Sequence, residues 1–552
     1  MTAGRQSILS RLHNRHQSIR SRVLDQHFAD QLEGMENVTL SESLDENTKQ
    51  LKFILGQSQD LVYRFFQLGP IGDKRAMLVY IDGLVKAEII DEFVIQSGMY
   101  DQQNVPAANA NVLSHLQIRG IPVHESAYIE LLGDAVHAIL CGDGALFVDG
   151  DAHALIVNIR GWGMRNISEP ATESVVRGPR EGFTETLRTN TALIRRRLKD
   201  PMLRVEQLQV GKRSRTDVAV IYIEGLTNPK IVKEVLKRIR SIDIDAILES
   251  GYIEQLIQDN GWTPFPLMQN TERPDKAVSH LLEGKVVIIS DGTPFVLIAP
   301  AVFTQFYHSP EDYYERFSIG TLIRLIRIIS MAMALLLPSL YIAFSSFHPE
   351  MIPSRLVIAM AAGRSTVPFP SIIEAFLMEV TMEILREASV RLPGPIGPTI
   401  GIVGALVVGQ AAVQAGIVSP IMVIVVALTT IGSFASPSYS AAIALRMLRF
   451  PIMIAAALFG LYGIMLLLII IIIHLCWLKS FGVPYLSPLT PTRLSDLKDT
   501  LIRTPLNWMK RRPAMFLPRD QVRYNKPQPS DGEQTGESQD ERSDSHEPHP
   551  IG

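Results

Sequence analysis

The sequence predicts a membrane protein in two parts: a duplicated α/β cytoplasmic N-terminal region followed by an α-helical transmembrane bundle. Three observations carry this expectation. Apolar residues make up 47% of the 552-residue chain, mean hydropathy is +0.15, and the excess sits between residues 326 and 476 rather than along the whole chain. That stretch holds uncharged runs of about 20 residues, the length that crosses a hydrocarbon core. The N-terminal half repeats one pattern, and the chain is too long for a single core.

Residues 1–47 are polar and read as a flexible N-terminus. They carry positive charge without an apolar run of signal-peptide length, so nothing in them directs export and the N-terminal half is expected to stay inside. Beyond them, RAMLVYIDGLVKAEIIDEFV, ending at Val94, is matched by TDVAVIYIEGLTNPKIVKEVL, ending at Leu236. Asp82 aligns with Glu224, 142 positions away. AVHAILCGDGALFVDG from Ala135 is matched by AVSHLLEGKVVIISDG from Ala277, and Asp149 aligns with Asp291, again 142 positions away. One offset found twice marks a duplication. Each copy reads as an apolar strand, a Gly turn, an amphipathic helix, further helix, and a second apolar strand closed by an Asp-Gly turn. The expected units are residues 48–160 and 180–305, with a connector at 161–179.

Within RGPREGFTETLRTNTALIRRRLKDP (177–201), a helix is expected from about Glu185 to Leu198. Its Arg195, Arg196 and Arg197 either hold an anion or a partner's acidic face, or form a solvated helix face. The loop GWTPFPLMQNTERP (261–274) carries aromatic residues suited to contact. Asp149 and Asp291 read as hairpin-turn residues, wanted for backbone reasons rather than for acid/base chemistry. With no P-loop, HExxH, GxSxG or CxxC, no enzymatic activity is expected. Cys141 and Cys476 supply neither a disulfide framework nor a metal cluster, and no cofactor is expected. A net charge of −3 and a pI near 6.5 argue against nucleic acid as a partner.

The transmembrane domain is expected over residues 306–480, with spans near 328–347, 397–418, 420–436 and 450–476. Arg324 and Arg327 precede the first span. The basic tail, 481–526, follows the last, so the positive-inside rule puts both ends in the cytoplasm. Residues 527–552 have the composition of disorder. Residues 352–392 read as amphipathic or re-entrant, or as two extra crossings. Within them Glu379, Glu383 and Glu387 recur every four residues beside Arg386, which gives one charged helical face. That face suits either an interfacial helix with its charges in water or a pore-lining helix whose carboxylates favour cations. Gly401, Ala405 and Gly409 form a small-residue stripe for close helix packing. Gln410 and Gln414 form a polar pair, for an interhelical hydrogen bond or for a conduction path. The serines around Pro437 suggest a broken helix end, and His474 reads as packed against a carbonyl.

RGPREGFTETLRTNTALIRRRLKDP, ILESGYIEQLIQDN, NTERPDK, DGTPFVLIAP, SPEDYYERF, LLLPSLYIA, PFPSIIEAFLMEV, GIVGALVVGQAAVQAGIVSPIMVIVVALT and SFGVPYLSPLTP are long, specific blocks between about residues 48 and 491. In these blocks the chain resembles the A subunits of GerA-type spore germinant receptors. A paralogue from the SpoVA operon shares the pattern, but the N-terminal blocks look more like the receptor subunits. The resemblance implies a multi-pass subunit in the spore inner membrane. It implies as partners a transporter-like B subunit, a lipoprotein C subunit and further copies of the chain in a homo-oligomer. It also implies a nutrient-gated channel for monovalent cations, with nutrient bound by the B subunit. A non-conducting scaffold that transmits the signal is the competing expectation. A secondary transporter fits less well, because the repeat lies in the N-terminal half and not in the spans.

Overall fold

The computed structural model describes residues 38–68, 74–86, 88–90, 126–161, 169–170, 172–390, 396–493 and 496–523. The first α/β unit contains α1 (Leu44–Leu55), β1 (Leu61–Leu68), β2 (Lys74–Ile81), β3 (Ser126–Ile129), α2 (Leu132–Leu140), β4 (Gly144–Val148) and β5 (Ala154–Val157). The second contains α3 (Leu187–Arg197), β6 (Leu203–Val210), β7 (Thr216–Ile223), α4 (Pro229–Arg240), α5 (Ser250–Ile257), β8 (Gln269–Thr271), α6 (Pro274–Leu281), β9 (Val286–Ser290) and β10 (Val296–Ala299). Each forms a five-stranded antiparallel sheet, in the orders β1-β2-β4-β5-β3 and β6-β7-β9-β10-β8.

The 142-residue offset survives in the hydrogen-bonding register. Leu61 opposite Ile81 becomes Leu203 opposite Ile223, and Ala76 opposite Val148 becomes Val218 opposite Ser290. Alternation along β2 sends Met77 and Val79 to one apolar layer and Ala76 and Leu78 to the other; β7 repeats this with Ala219 and Ile221 against Val218 and Val220. Both faces of each sheet are therefore covered, which is why β4 and β9 are buried at every position and apolar up to Ser290.

The edge strands β1 and β6, which the sequence pattern did not signal, pair along their whole length with β2 and β7. The Arg-rich helix α3 is the second unit's counterpart of α1, which itself begins within the expected polar N-terminus. Asp149 and Asp291 do more than turn the chain: each carboxylate accepts the first backbone N–H of a distant helix, from Leu44 at 3.1 Å and from Leu187 at 2.9 Å. Of the amphipathic helix expected before Val94, residues 88–90 are helical and the rest falls outside the described residues.

The units are joined by a buried clamp. Arg195 donates to Asp60 (2.7 and 3.0 Å) and to Ser58 (3.0 Å), both side chains of the pair being only 3–4% exposed. Arg204 reaches across the same seam to the Leu55 carbonyl (2.9 Å).

The C-terminal half contains α8 (Phe317–Ser346), reached through the single turn α7 (Glu311–Tyr314). Then follow α9 (Ser354–Arg364), α10 (Ser371–Val390), α11 (Ile396–Gln414), α12 (Pro420–Phe434) and α13 (Tyr439–Trp477). The helix α8, and α13 when taken as one unbroken run, are long and apolar enough to cross a membrane. Ser419 caps α12 with Pro420 in its first turn, and Ser438 caps α13, so the serine-rich break lies where it was expected.

Gly460, at φ 61°, splits α13. Gly463 packs directly on the Ala455 carbonyl with no room for a Cβ, and Ala441, Ala444 and Leu475 share one apolar cluster with Phe306 and Tyr485. A straight 39-residue helix would hold its ends about 58 Å apart. The two halves are therefore antiparallel, and the single run expected at 450–476 is a hairpin.

Among the described residues, six helical segments thus run between two ends of the bundle: α8, α10, α11, α12 and the two halves of α13. Ser346, at the end of α8, meets Ser371 at the start of α10 (2.5 Å), and Gly460 abuts Phe347 and His348. α9 lies at this distal end, where Arg364 pairs with Glu374. At the proximal end the chain after α13 returns to the second α/β unit, where Phe481, Val483 and Phe516 complete one face of its core. The α/β units and the tail therefore share one end of the bundle.

Substituting Arg195 by Met strands the Asp60 carboxylate in the seam. A loss of about 3–5 kcal/mol is expected for half of a buried pair. The combined Arg195→Met and Asp60→Leu chain should recover much of it, read as thermal unfolding of the full-length protein in detergent.

Candidate functional site: a charged ladder inside the helical bundle

The four-residue spacing of Glu379, Glu383 and Glu387 on α10 sets these side chains on one face; packing turns Glu379 and Glu383 inward, while Glu374 leaves another side of the helix. From the distal end, Glu374 accepts from Arg364 (3.1 Å) and from the backbone N–H of Ser419 (3.1 Å). One turn on, Glu379 pairs with Arg449 of α13, whose Nε donates to the Ala334 carbonyl of α8 at 2.8 Å. Glu379 and Arg449 are 0% and 1% exposed. Glu383 then accepts from Arg386 (3.2 Å) and from Arg446 (3.1 Å). Arg386 also donates to Ser433 (2.9 Å) and lies over the Phe434 ring, 4.9 Å from its centroid.

The charged face was expected in water or along a conduit. In the single chain Glu379 is instead paired with Arg449, and Glu383 with Arg446 and with Arg386 of its own helix, because an unpaired charge among apolar segments is too costly to keep. Glu387 is exposed at the proximal end of α10, and Gln410 and Gln414 are exposed on α11. Gly409 is buried against Val423 and Ala405 is half-buried, while the surroundings of Gly401 fall outside the described residues. The close approach of α11 to α10 is made at Gly404, against Leu385. Arg195, Arg196 and Arg197 are not brought to this site: Arg195 is in the inter-unit clamp, and Arg196 and Arg197 pair with Glu181. The anion or partner contact expected of them is taken inside the chain.

Sequence reasoning missed Glu374, Arg364, Arg446, Arg449 and Ser433. The signal was RMLRF: two arginines three apart, on one helical face, directly before an apolar run. Placing the start of the last span at residue 450 left them outside it.

A second cluster ties α8 to the α/β side. Asp312, 1% exposed, accepts from Arg324 (3.2 Å) and Arg327 (3.2 Å), and Arg324 also reaches Asp499 of the tail (3.0 Å). Tyr313 donates to the same Asp499 (2.5 Å). A cavity of about 190 Å³ adjoins these groups, lined among others by Gln269, His280, His308 and Tyr313. Burial holds His280 near 4 and His308 near 3, with Lys285 adding to the first effect and Arg324 to the second, so both imidazoles are neutral at pH 7. Burial raises the Asp499 carboxyl above its usual range, against the pull of Arg324. Burial also brings Lys285 down to about 7, against the opposing pull of Glu283.

The model of the Bacillus/Clostridium GerA spore germination protein family matches residues 49–515. The chain belongs to the GerA spore germination family. It is 47% identical to spore germination protein KA of Bacillus subtilis (strain 168), over 89% of this chain and 90% of that protein. It is 44% identical to spore germination protein GerLA of Bacillus cereus, over 87% and 97%. The crystal structure of the N-terminal domain of the A subunit of the Bacillus megaterium spore germinant receptor GerK3 is 38% identical, covering 48% of this chain and 98% of that one, with a TM-score of 0.38. Membership of the GerA family supports a role in spore germination. The ladder lies within the family match, in the part of the chain beyond the α/β units.

Arg449→Met leaves Glu379 without its cation inside the bundle and should destabilise the folded protein by about 3–5 kcal/mol. The exchange Glu379→Arg with Arg449→Glu should restore part of that loss, read as thermal unfolding in detergent. At Lys285 the pH dependence has a definite sign. An unfolded Lys keeps its proton to about 10.5, whereas the folded one releases it near 7. Between those values the unfolded state holds the extra proton, so stability rises with pH; below 7 both states are charged and the full burial cost remains. Lys285→Met should therefore raise the unfolding midpoint at pH 6 and flatten its rise between pH 7 and 10.

Proposed function

We propose that this protein is the A subunit of a nutrient germinant receptor, acting in the spore inner membrane with a transporter-like B subunit and a lipoprotein C subunit. In this reading the six helical segments cross the bilayer, and the α/β units and the tail lie together on the cytoplasmic side. Several copies assemble around a shared path that passes monovalent cations once nutrient binds the partner. The observation that carries the reading is the charged ladder of α10: ionic groups at bundle depth are kept where they serve an aqueous path or a switch. Because Glu379 and Glu383 are paired with arginines within one chain, the path of this proposal lies between copies. Gln410 and Gln414 are exposed polar groups that such a path would accommodate, since lipid is a poor environment for them, and Glu387 is exposed at the proximal end of α10.

Opening then shifts the ladder between two arrangements. Nutrient binding must favour the open one by a few kcal/mol, the coupling any population shift requires. The same internal pairing favours a second reading, a non-conducting scaffold in which the ladder only fixes the helices.

The test is nutrient-triggered release of potassium and sodium from spores whose receptor carries Glu379→Gln, Glu383→Gln and Glu387→Gln together, with abundance matched by immunoblot. Slower release or a changed ion preference at normal abundance is expected. Unchanged release at normal abundance would leave the scaffold reading.

A further inference from the structure

Trp262, in the loop between α5 and β8, is 97% exposed, although its base is firmly held. Its backbone N–H donates to Asn260 (2.9 Å), and the next residue, Thr263, hydrogen-bonds His474 in the last turn of α13 (3.0 Å). Two residues further on, Phe265 is buried against His474 and Tyr485. The ring is thus presented outward from a fixed loop, at the height where the apolar helix α13 ends. His474 lies about 5 Å before Trp477 along that helix, and Trp477 is itself 75% exposed. An exposed cation, Lys479, follows directly after α13. An outward indole beside an apolar helix end, next to a cation, is the arrangement favoured at a membrane–water boundary, where the ring's apolar body and its N–H donor are both accommodated.

We infer that Trp262 inserts into the lipid headgroup layer and, with Trp477, fastens the second α/β unit to the bilayer surface. The partner is lipid, in the leaflet on the side of the α/β units. This inference rests on the membrane placement proposed above, and its test separates the two. The chain has four tryptophans, at positions 162, 262, 477 and 508. Two full-length variants, each with three Trp→Phe substitutions that leave only Trp262 or only Trp477, are reconstituted in phosphatidylcholine vesicles with and without bromine on the acyl chains near the headgroup.

Both variants should lose roughly half of their emission in brominated vesicles, as indoles at boundary depth do. Quenching of Trp477 without quenching of Trp262 would overturn the lipid contact while leaving the membrane placement intact. Blue-shifted emission of Trp262 in that case would mean that another protein surface or a second copy covers it, and red-shifted emission that it faces water. Quenching of neither would overturn the membrane placement and the inference together. As an independent arm, Trp262→Ser in the otherwise natural chain should reduce total bromine quenching; an unchanged total would also overturn the contact.

Discussion

A guanidinium cannot sit among apolar helices without an acceptor, and this constraint organises the C-terminal half. Arg449 finds one in Glu379 and another in the Ala334 carbonyl, so α13, α10 and α8 are held in one mutual register. Arg446 and Arg386 share Glu383, and Arg386 continues to Ser433, which adds the end of α12 to the same network. At the proximal end Arg324 and Arg327 repeat the solution with Asp312, and Arg324 extends it to Asp499 of the tail. These pairs fix rotation and depth, which apolar contacts alone specify poorly because one aliphatic face resembles another.

The same economy of buried charge joins the two α/β units. Arg195 and Asp60 lie 135 residues apart in the chain, and their pair sits at a seam where Arg204 also crosses. Since α3 both packs on the second sheet and carries Arg195, it serves as a wall of one unit and a clamp on the other. On the opposite face of the second sheet, Phe481, Val483 and Phe516 are brought in from beyond α13. A shift of the last helical hairpin is therefore felt in the core of the second unit, and the Asp312–Arg324–Asp499 cluster couples that unit's exit to α8. This gives the proposed gate a physical route between the α/β region and the bundle.

The sequence by itself determined the duplication and its offset, because a repeated apolar strand and Asp-Gly turn are local patterns that backbone geometry imposes twice. It also determined where apolar helix is concentrated, the serine-rich break before α13, and the family, whose blocks run through both halves. Only the tertiary structure decided which way the charged face of α10 turns, since periodicity gives a helix its faces but not its neighbours. It also decided that Arg195 is a clamp, its partner being remote in sequence, and that residues 439–477 double back at Gly460. That reversal rests on one positive φ and one close contact within a run of unbroken hydropathy, where no sequence period changes. The edge strands β1 and β6 were illegible for a related reason: LVYRFFQL and LRVEQLQV mix polar with apolar residues, and the adjoining β2 and β7 supply the order they lack alone.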